Sequence, residues 1–167
     1  MNETVETEAG AADRASIRAG LEATQARYQQ AIAGIPDEGW RAASGSNPGW
    51  TRGALAWHVA SSVNFIAGEI ERARKGKALN PPSFLVPLVF RANGLRVKFA
   101  SRKADRNSVL EDYDAAIARM LRLLDLVRDD EFGVSVTNFG TTQTIAELFG
   151  VPAEHLAEHV ASLAGKQ

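Results

Sequence analysis

The sequence predicts an all-α fold, a four-helix bundle in a single domain. Apolar residues recur at helical spacing in four stretches of about 13–23 residues, which is typical of amphipathic helices. No segment alternates convincingly between apolar and polar residues as a strand would, and the chain has no internal repeat. With 167 residues, of which 45% are hydrophobic and 23% charged, the chain is long enough to bury a sizeable core.

Composition excludes several classes of protein. A formal net charge of −1 gives no general attraction to nucleic acid. The absence of cysteine excludes disulfides, thiolate ligands and a cysteine nucleophile. The acidic N-terminus has no signal-peptide pattern, and the longest apolar run, residues 84–90, is too short to cross a bilayer. We therefore expect a cytoplasmic protein without nucleic-acid or membrane partners, with residues 1–12 as a disordered acidic tail and residues 13–167 as the domain.

The first two helices have clear boundaries. Residues 16–33 carry the first apolar stripe, and Gly34-Ile35-Pro36-Asp37 ends it. A linker rich in Gly, Ser, Asn and Pro follows. Thr51 is the expected N-cap of a second helix over residues 52–74, and Gly76 closes it.

A long connection separates the second helix from the third. Pro87 disfavours a regular helix through residues 84–90, although a short extra helix within residues 84–102 fits the pattern. Ser108 and Glu111 form a capping-box pattern that starts the third helix, which runs to about Val127. Residues 128–140 are predicted to be a polar connection.

The fourth helical region begins near Thr144, with Thr141, Thr142 or Thr144 as its cap. Proline inside a helix costs about 3 kcal/mol, so Gly150-Val151-Pro152 predicts one of two outcomes. Either the helix kinks near Val151, or it divides into two helices over residues 144–149 and 152–164.

The three histidines of the chain carry the main functional hypothesis. His155 and His159 are four residues apart, so on a helix their Cβ atoms lie about 5–6 Å apart on one face. His58 lies at the centre of the apolar second helix and is the remaining candidate for a third ligand. When three imidazoles bind a catalytic metal, a further coordination position stays open for water or substrate. The alternatives are a hydrogen-bonded core histidine at position 58 and a half-exposed helix face at the pair.

Other candidates surround this site. Glu154 and Glu158 flank the pair, as support for the ligands or as a solvated face. Trp57 and Trp50 can line a pocket mouth or belong to the core.

The basic stretch between positions 91 and 106 is a solvated face or a dock for an anionic substrate or thiol cofactor. In the second case the cofactor-binding candidates are Trp57, Arg96 and Lys98. Val97 and Phe99 within that stretch can instead serve a homodimer contact.

Two motifs resemble those of one family. The stretch NPGWTRGALAWHVA, residues 47–60, resembles the opening of the second helix in DinB/YfiT-like proteins, and HLAEH, residues 155–159, resembles the HxxxH of their fourth helix. The resemblance spans residues 14–164. It implies a bundle with up-down-down-up helix order and a metal triad of His58, His155 and His159.

The resemblance also implies a range of functions. Some relatives are thiol-dependent S-transferases or maleylpyruvate isomerase-type enzymes, and others are described as metal-dependent hydrolases. We therefore expect a metal-dependent enzyme that holds zinc or nickel and activates a low-molecular-weight thiol or water for reaction with a small-molecule substrate. The alternative is a non-enzymatic metal-binding or ligand-binding module of a stress response. Here the break at Gly150-Val151-Pro152 and the long basic connection depart from the family pattern.

Overall fold

The structure, a computed structural model, is mostly helical. It describes residues 3–45, 49–77 and 80–165, and side chains from residue 14 onward. Within these ranges the chain forms five α-helices and one two-stranded antiparallel sheet. In chain order the elements are α1 (Glu3–Ala33), α2 (Arg52–Arg74), α3 (Val86–Ala100), α4 (Arg106–Leu126), β1 (Ser135–Asn138), β2 (Thr141–Thr144) and α5 (Ile145–Leu163). The prediction of a mainly α-helical fold is confirmed, with a small sheet that the sequence did not predict.

Four of the helices enclose the core. Both α1 and α2 pack against α4 and α5. The rings of Tyr28 on α1 and Tyr113 on α4 are stacked with centroids 3.8 Å apart, and both side chains are buried. The hydroxyl of Tyr28 donates to the carbonyl of Ala56 on α2 at 2.9 Å. One buried aromatic pair therefore links three helices.

Helix α1 begins before the predicted residue 16. Its backbone is helical from Glu3, within the segment that the sequence assigns to a disordered tail. Residues 1–2 and the side chains of residues 3–13 lie outside the described part of the chain. The division into a tail and a single domain from residue 13 stays a prediction.

The helix caps agree with the sequence in two cases and correct it in one. Thr51 caps α2 by accepting a hydrogen bond from the backbone N–H of Ala54 at 3.1 Å, as expected. Thr144 caps α5 in a capping box with Glu147. The prediction that Ser108 is the N-cap of the third main helix is wrong: Asp105 is the cap, and Ser108 occupies the third helical position. The carboxylate accepts from the backbone of Ser108 at 2.8 Å, and the Ser108 hydroxyl accepts from the backbone of Asp105 at 3.0 Å.

The two prolines predicted to break helices are both accommodated. Pro87 lies in the first turn of α3, where its missing N–H costs nothing. Helix α5 continues through Pro152 as one element, so the division into two helices does not occur. Because proline has no N–H, the helical hydrogen bond to the carbonyl of Leu148 cannot form. Burial of Leu148, Pro152 and Leu156 on one side of the helix offsets that loss.

A β-hairpin forms part of the connection predicted as polar. Strands β1 and β2 pair from Ser135 opposite Thr144 to Asn138 opposite Thr141. Phe139 and Gly140 form the turn with φ of 51° and 84°, a left-handed conformation that suits a two-residue hairpin turn. The ring of Phe139 contacts Phe65 of α2 and Phe90 of α3, with centroids 6.5 Å and 5.9 Å away. The hairpin tip is therefore held between two helices.

None of the helices in the described ranges combines the length and apolar character that crossing a membrane requires.

Candidate metal centre

The three histidines converge where α2 packs against α5. His58 lies in the middle of α2, and His155 and His159 lie one turn apart on α5. The His58 ring centroid is 5.0 Å from that of His155 and 5.6 Å from that of His159, and the two α5 rings are 4.7 Å apart. All three side chains are half-buried. Residues about a hundred positions apart in the chain thus meet in one cluster.

The rings are held in their neutral form. Burial, reinforced by the neighbouring rings of His155 and His159, lowers the pKa of His58 to about 4. Burial also lowers the pKa of His155 and of His159, against an opposing effect of the Glu158 carboxylate. Neutral imidazole is the form that offers a lone pair to a metal. Near neutral pH the cluster therefore presents ligands without first having to lose protons.

The orientation of the rings fits ligation through the nitrogens that face one another. The Nε2 atoms of His58 and His155 lie 3.1 Å apart, so without a metal one ring donates to the other. On the other side of the His155 ring, Nδ1 lies 3.6 Å from Oε2 of Glu158. A proton on Nδ1 facing that carboxylate leaves Nε2 with its lone pair toward the centre of the cluster.

The cluster also meets the spatial requirements of a metal ion. Among the described residues, these three form the group of His, Asp and Glu side chains that can hold one, with ligand atoms all within 4.8 Å of each other. Nitrogens about 2.0–2.1 Å from a tetrahedral zinc ion stand about 3.4 Å apart, so adjustments of about 1.5 Å or less suffice. Nδ1 of His159 is buried without a hydrogen-bond partner in the described structure, an orphaned group that ligation or a bound water would satisfy.

The structure places the other candidates around this cluster. Trp50 contacts His58, with ring centroids 5.0 Å apart. Trp57, half-buried beside His58 on α2, lies under the guanidinium of Arg96, whose Cζ is 5.4 Å from the ring centroid. Arg96 and Lys98 are both exposed on α3. Trp50 thus adjoins the histidine cluster directly, and Arg96 of α3 packs over Trp57, the residue before His58 in the chain.

Of the two glutamates that flank the histidine pair, Glu158 lies beside the cluster. Glu158 is 71% exposed and still has its carboxylate beside the His155 ring, so it is both solvated and a neighbour of the histidine cluster. Its separation of three residues from His155 places the two side chains on adjacent turns of α5. Glu154 is exposed on the same helix.

Comparison with known proteins gives one match. The family model described as the DinB superfamily matches residues 20–163, which include all three histidines. Neither the curated proteins nor the solved structures give a match.

Proposed function

Because this chain belongs to the DinB superfamily, we propose that His58, His155 and His159 bind one divalent transition metal, zinc or nickel, and that the protein is an enzyme which uses it. The observation that carries this proposal is the convergence of the only three histidines in the sequence on one point. We also propose that α1, α2, α4 and α5 form the family's up-down-down-up bundle. The packing of α1 and α2 each against α4 and α5 supports that arrangement.

The donor set determines the chemistry. A divalent metal at this place supplies a Lewis acid that lowers the pKa of a coordinated water or thiol. Three neutral imidazoles contribute no negative charge to offset the positive charge of the metal, so the metal lowers the pKa of a further ligand strongly. Because the chain has no cysteine, a thiol must come from a small molecule. The two reaction types are therefore transfer or isomerisation with a thiol cofactor, and hydrolysis with water.

The surrounding side chains would bind and orient the reactants. Trp50 offers apolar surface beside His58. Trp57 precedes His58 on α2 and packs against the core. Arg96 over the Trp57 ring offers a cation to a substrate or thiol that carries a carboxylate. The Glu158 carboxylate, 3.6 Å from Nδ1 of His155, favours the tautomer that carries its proton on Nδ1 and leaves Nε2 free for the metal. No side chain in this arrangement is assigned as a general acid or base.

The first experiment is metal analysis of protein purified without a histidine tag. We expect close to one equivalent of zinc or nickel in the wild type and a large loss in His155→Ala, with Glu154→Ala, on the exposed side of the same helix, as the matched control. Protein that contains no metal, and whose melting temperature does not respond to added zinc or nickel, would contradict the proposal.

A second experiment separates the enzymatic hypothesis from the non-enzymatic one. Cobalt-substituted protein titrated with low-molecular-weight thiols should change its visible spectrum if a coordination position is open to a thiol. If the metal is retained and its spectrum is insensitive to thiols, hydroxide and small anions, the position is closed. The protein would then be a metal-binding or ligand-binding module without turnover, as in a stress response.

A further inference from the structure

The outward side of α3 carries large apolar side chains. Leu88, Leu95 and Phe99 are 62%, 54% and 56% exposed. At about 100° per residue these positions lie within about 40° of one another around the helix axis. Val97, which is fully buried, lies on the opposite side and anchors the helix. We call the exposed residues Leu88, Leu95 and Phe99 the outer stripe.

Basic residues accompany the outer stripe. Arg91 and Lys98 lie about 60–80° to one side of it by helical angle. Just beyond the end of α3, the guanidinium of Arg102 stacks over the Phe99 ring, 4.5 Å from its centroid. The longer segment from residue 72 to residue 104 contains nine Lys and Arg and no Asp or Glu, in a chain with a net charge of −1. Arg72 and Arg74 are paired with Glu69 and Glu131. The five cations from Arg91 to Lys103, on α3 and directly after it, have no acidic residue in their own stretch of the chain.

We propose that the outer stripe and its flanking cations bind the surface of an anionic lipid bilayer. A helix with Leu and Phe on one side and Arg and Lys beside them has the composition of helices that lie in the plane of the membrane interface. Long basic side chains can keep their charges at the headgroups while the apolar residues enter the acyl boundary. A bilayer with negative headgroups thus complements both properties of this surface.

Charge disfavours a second copy of the chain as the occupant. In a two-fold symmetric contact the same surface meets itself, so Arg91, Lys98 and Arg102 of one copy would approach those of the other. Repulsion between these like charges would weaken the association of the two copies. The proposed contact is peripheral and agrees with the absence of a spanning helix in the described ranges, but it departs from the expectation of no membrane partner. It is independent of the proposed enzymatic function.

Vesicle flotation tests the proposal. Full-length protein is mixed with vesicles of phosphatidylcholine alone, or of equal parts phosphatidylcholine and phosphatidylglycerol, at 0.1 M and 0.5 M NaCl. We expect binding to the anionic vesicles that weakens at high salt, because salt screens charges near the surface. Absence of binding to anionic vesicles at 0.1 M NaCl, or equal binding to both vesicle types, would overturn the proposal.

Two variants separate the apolar and the electrostatic contributions. Leu95→Ser with Phe99→Ser should reduce partitioning about tenfold or more. Arg91→Gln with Lys98→Gln should reduce it about 25-fold, since each cation contributes about fivefold. The matched control is Leu126→Ser, which changes a residue on α4 that is 61% exposed. All positions are exposed, and circular dichroism checks the fold of each variant.

Three further outcomes would overturn the proposal. An equal loss of partitioning in the Leu126→Ser control would show that the outer stripe has no special part in binding. A concentration-dependent dimer in sedimentation velocity, dissociated by Leu95→Ser with Phe99→Ser, would identify a second copy as the occupant. Unchanged flotation in both double variants would assign lipid binding to another surface.

Discussion

The Nε2 atoms of His58 and His155 lie 3.1 Å apart although 97 positions separate the two residues in the chain. Two imidazole nitrogens at this distance share one hydrogen when no metal is present. A divalent ion would replace that hydrogen bond by two stronger bonds and would draw in His159. Metal binding at the proposed site would therefore stabilise the contact between α2 and α5 and with it the fold.

The first prediction concerns metal-linked stability. Zinc at about 100 times its dissociation constant should raise the free energy of unfolding of the wild type by about 2.7 kcal/mol. His155→Ala should lose most of this increase because only two ligands remain. Calorimetric melting with and without zinc measures both values. The same increase in the variant would exclude His155 as a ligand.

The second prediction concerns Glu158. Glu158→Gln should weaken zinc binding by about tenfold, toward the lower end of the effect of residues that orient metal-bound histidines, because this carboxylate is largely solvated. Glu154→Gln is the matched control on the same helix. Competition with a chromophoric chelator measures the dissociation constants. Equal affinities in the two variants would show that Glu158 is only a surface residue.

The third prediction depends on the proposed function. Arg96→Glu reverses the charge above Trp57 and should raise the KM for an anionic thiol or substrate about tenfold or more, with a smaller effect on kcat. Lys103→Glu makes the same charge change at another exposed position of the basic segment. Steady-state kinetics of both variants provide the comparison, and an unchanged KM for Arg96→Glu would remove the docking role.

The fourth prediction compares two buried hydroxyl groups. Tyr28→Phe removes a hydrogen bond to the carbonyl of Ala56 and should cost about 1 kcal/mol. Tyr113→Phe removes a buried hydroxyl that has no partner among the described residues and should be neutral or stabilising. Urea unfolding of both variants measures the difference. A larger loss in Tyr113→Phe would mean that its hydroxyl is satisfied, for example by water.

The fifth prediction concerns acid stability. Hydrogen bonds from the backbone and side chain of Ser108 hold the pKa of Asp105 below its ordinary value of 3.8. A carboxylate with a lowered pKa stabilises the folded state fully above that ordinary value and loses its contribution as the pH falls further. Asp105→Asn keeps a capping oxygen but does not titrate. Its free energy of unfolding should therefore fall less than that of the wild type between about pH 5 and pH 2 in urea titrations.

The sequence predicted those element bounds that depend on local features, such as a capping side chain or a glycine in a reversal of the chain. Helix α2 has the expected bounds because Thr51 caps its start and the chain reverses at Gly76, where φ is 64°. The meeting of His58 with the α5 pair was also predictable, since all three lie among apolar residues that have to face a common core.

Features that depend on tertiary contacts were not predictable. The hairpin strands are four residues long and rich in threonine, and Val136 is the buried hydrophobic residue within them, so no alternation marks them. Their position follows from the contacts of Phe139. Pro152 looks like a helix break in the sequence, yet burial of its side chain outweighs one lost hydrogen bond. Asp105 and Ser108 both suit an N-cap, and the backbone at Asp105 decides between them.

Thr144 is both the final residue of β2 and the cap of α5, so no spacer separates the hairpin from the helix that carries His155 and His159. The far end of the hairpin is wedged against α2 and α3 through Phe139. Because no linker separates the hairpin from α5, a displacement of α3 that moves Phe139 would be transmitted through the hairpin to α5 and so to its two histidines.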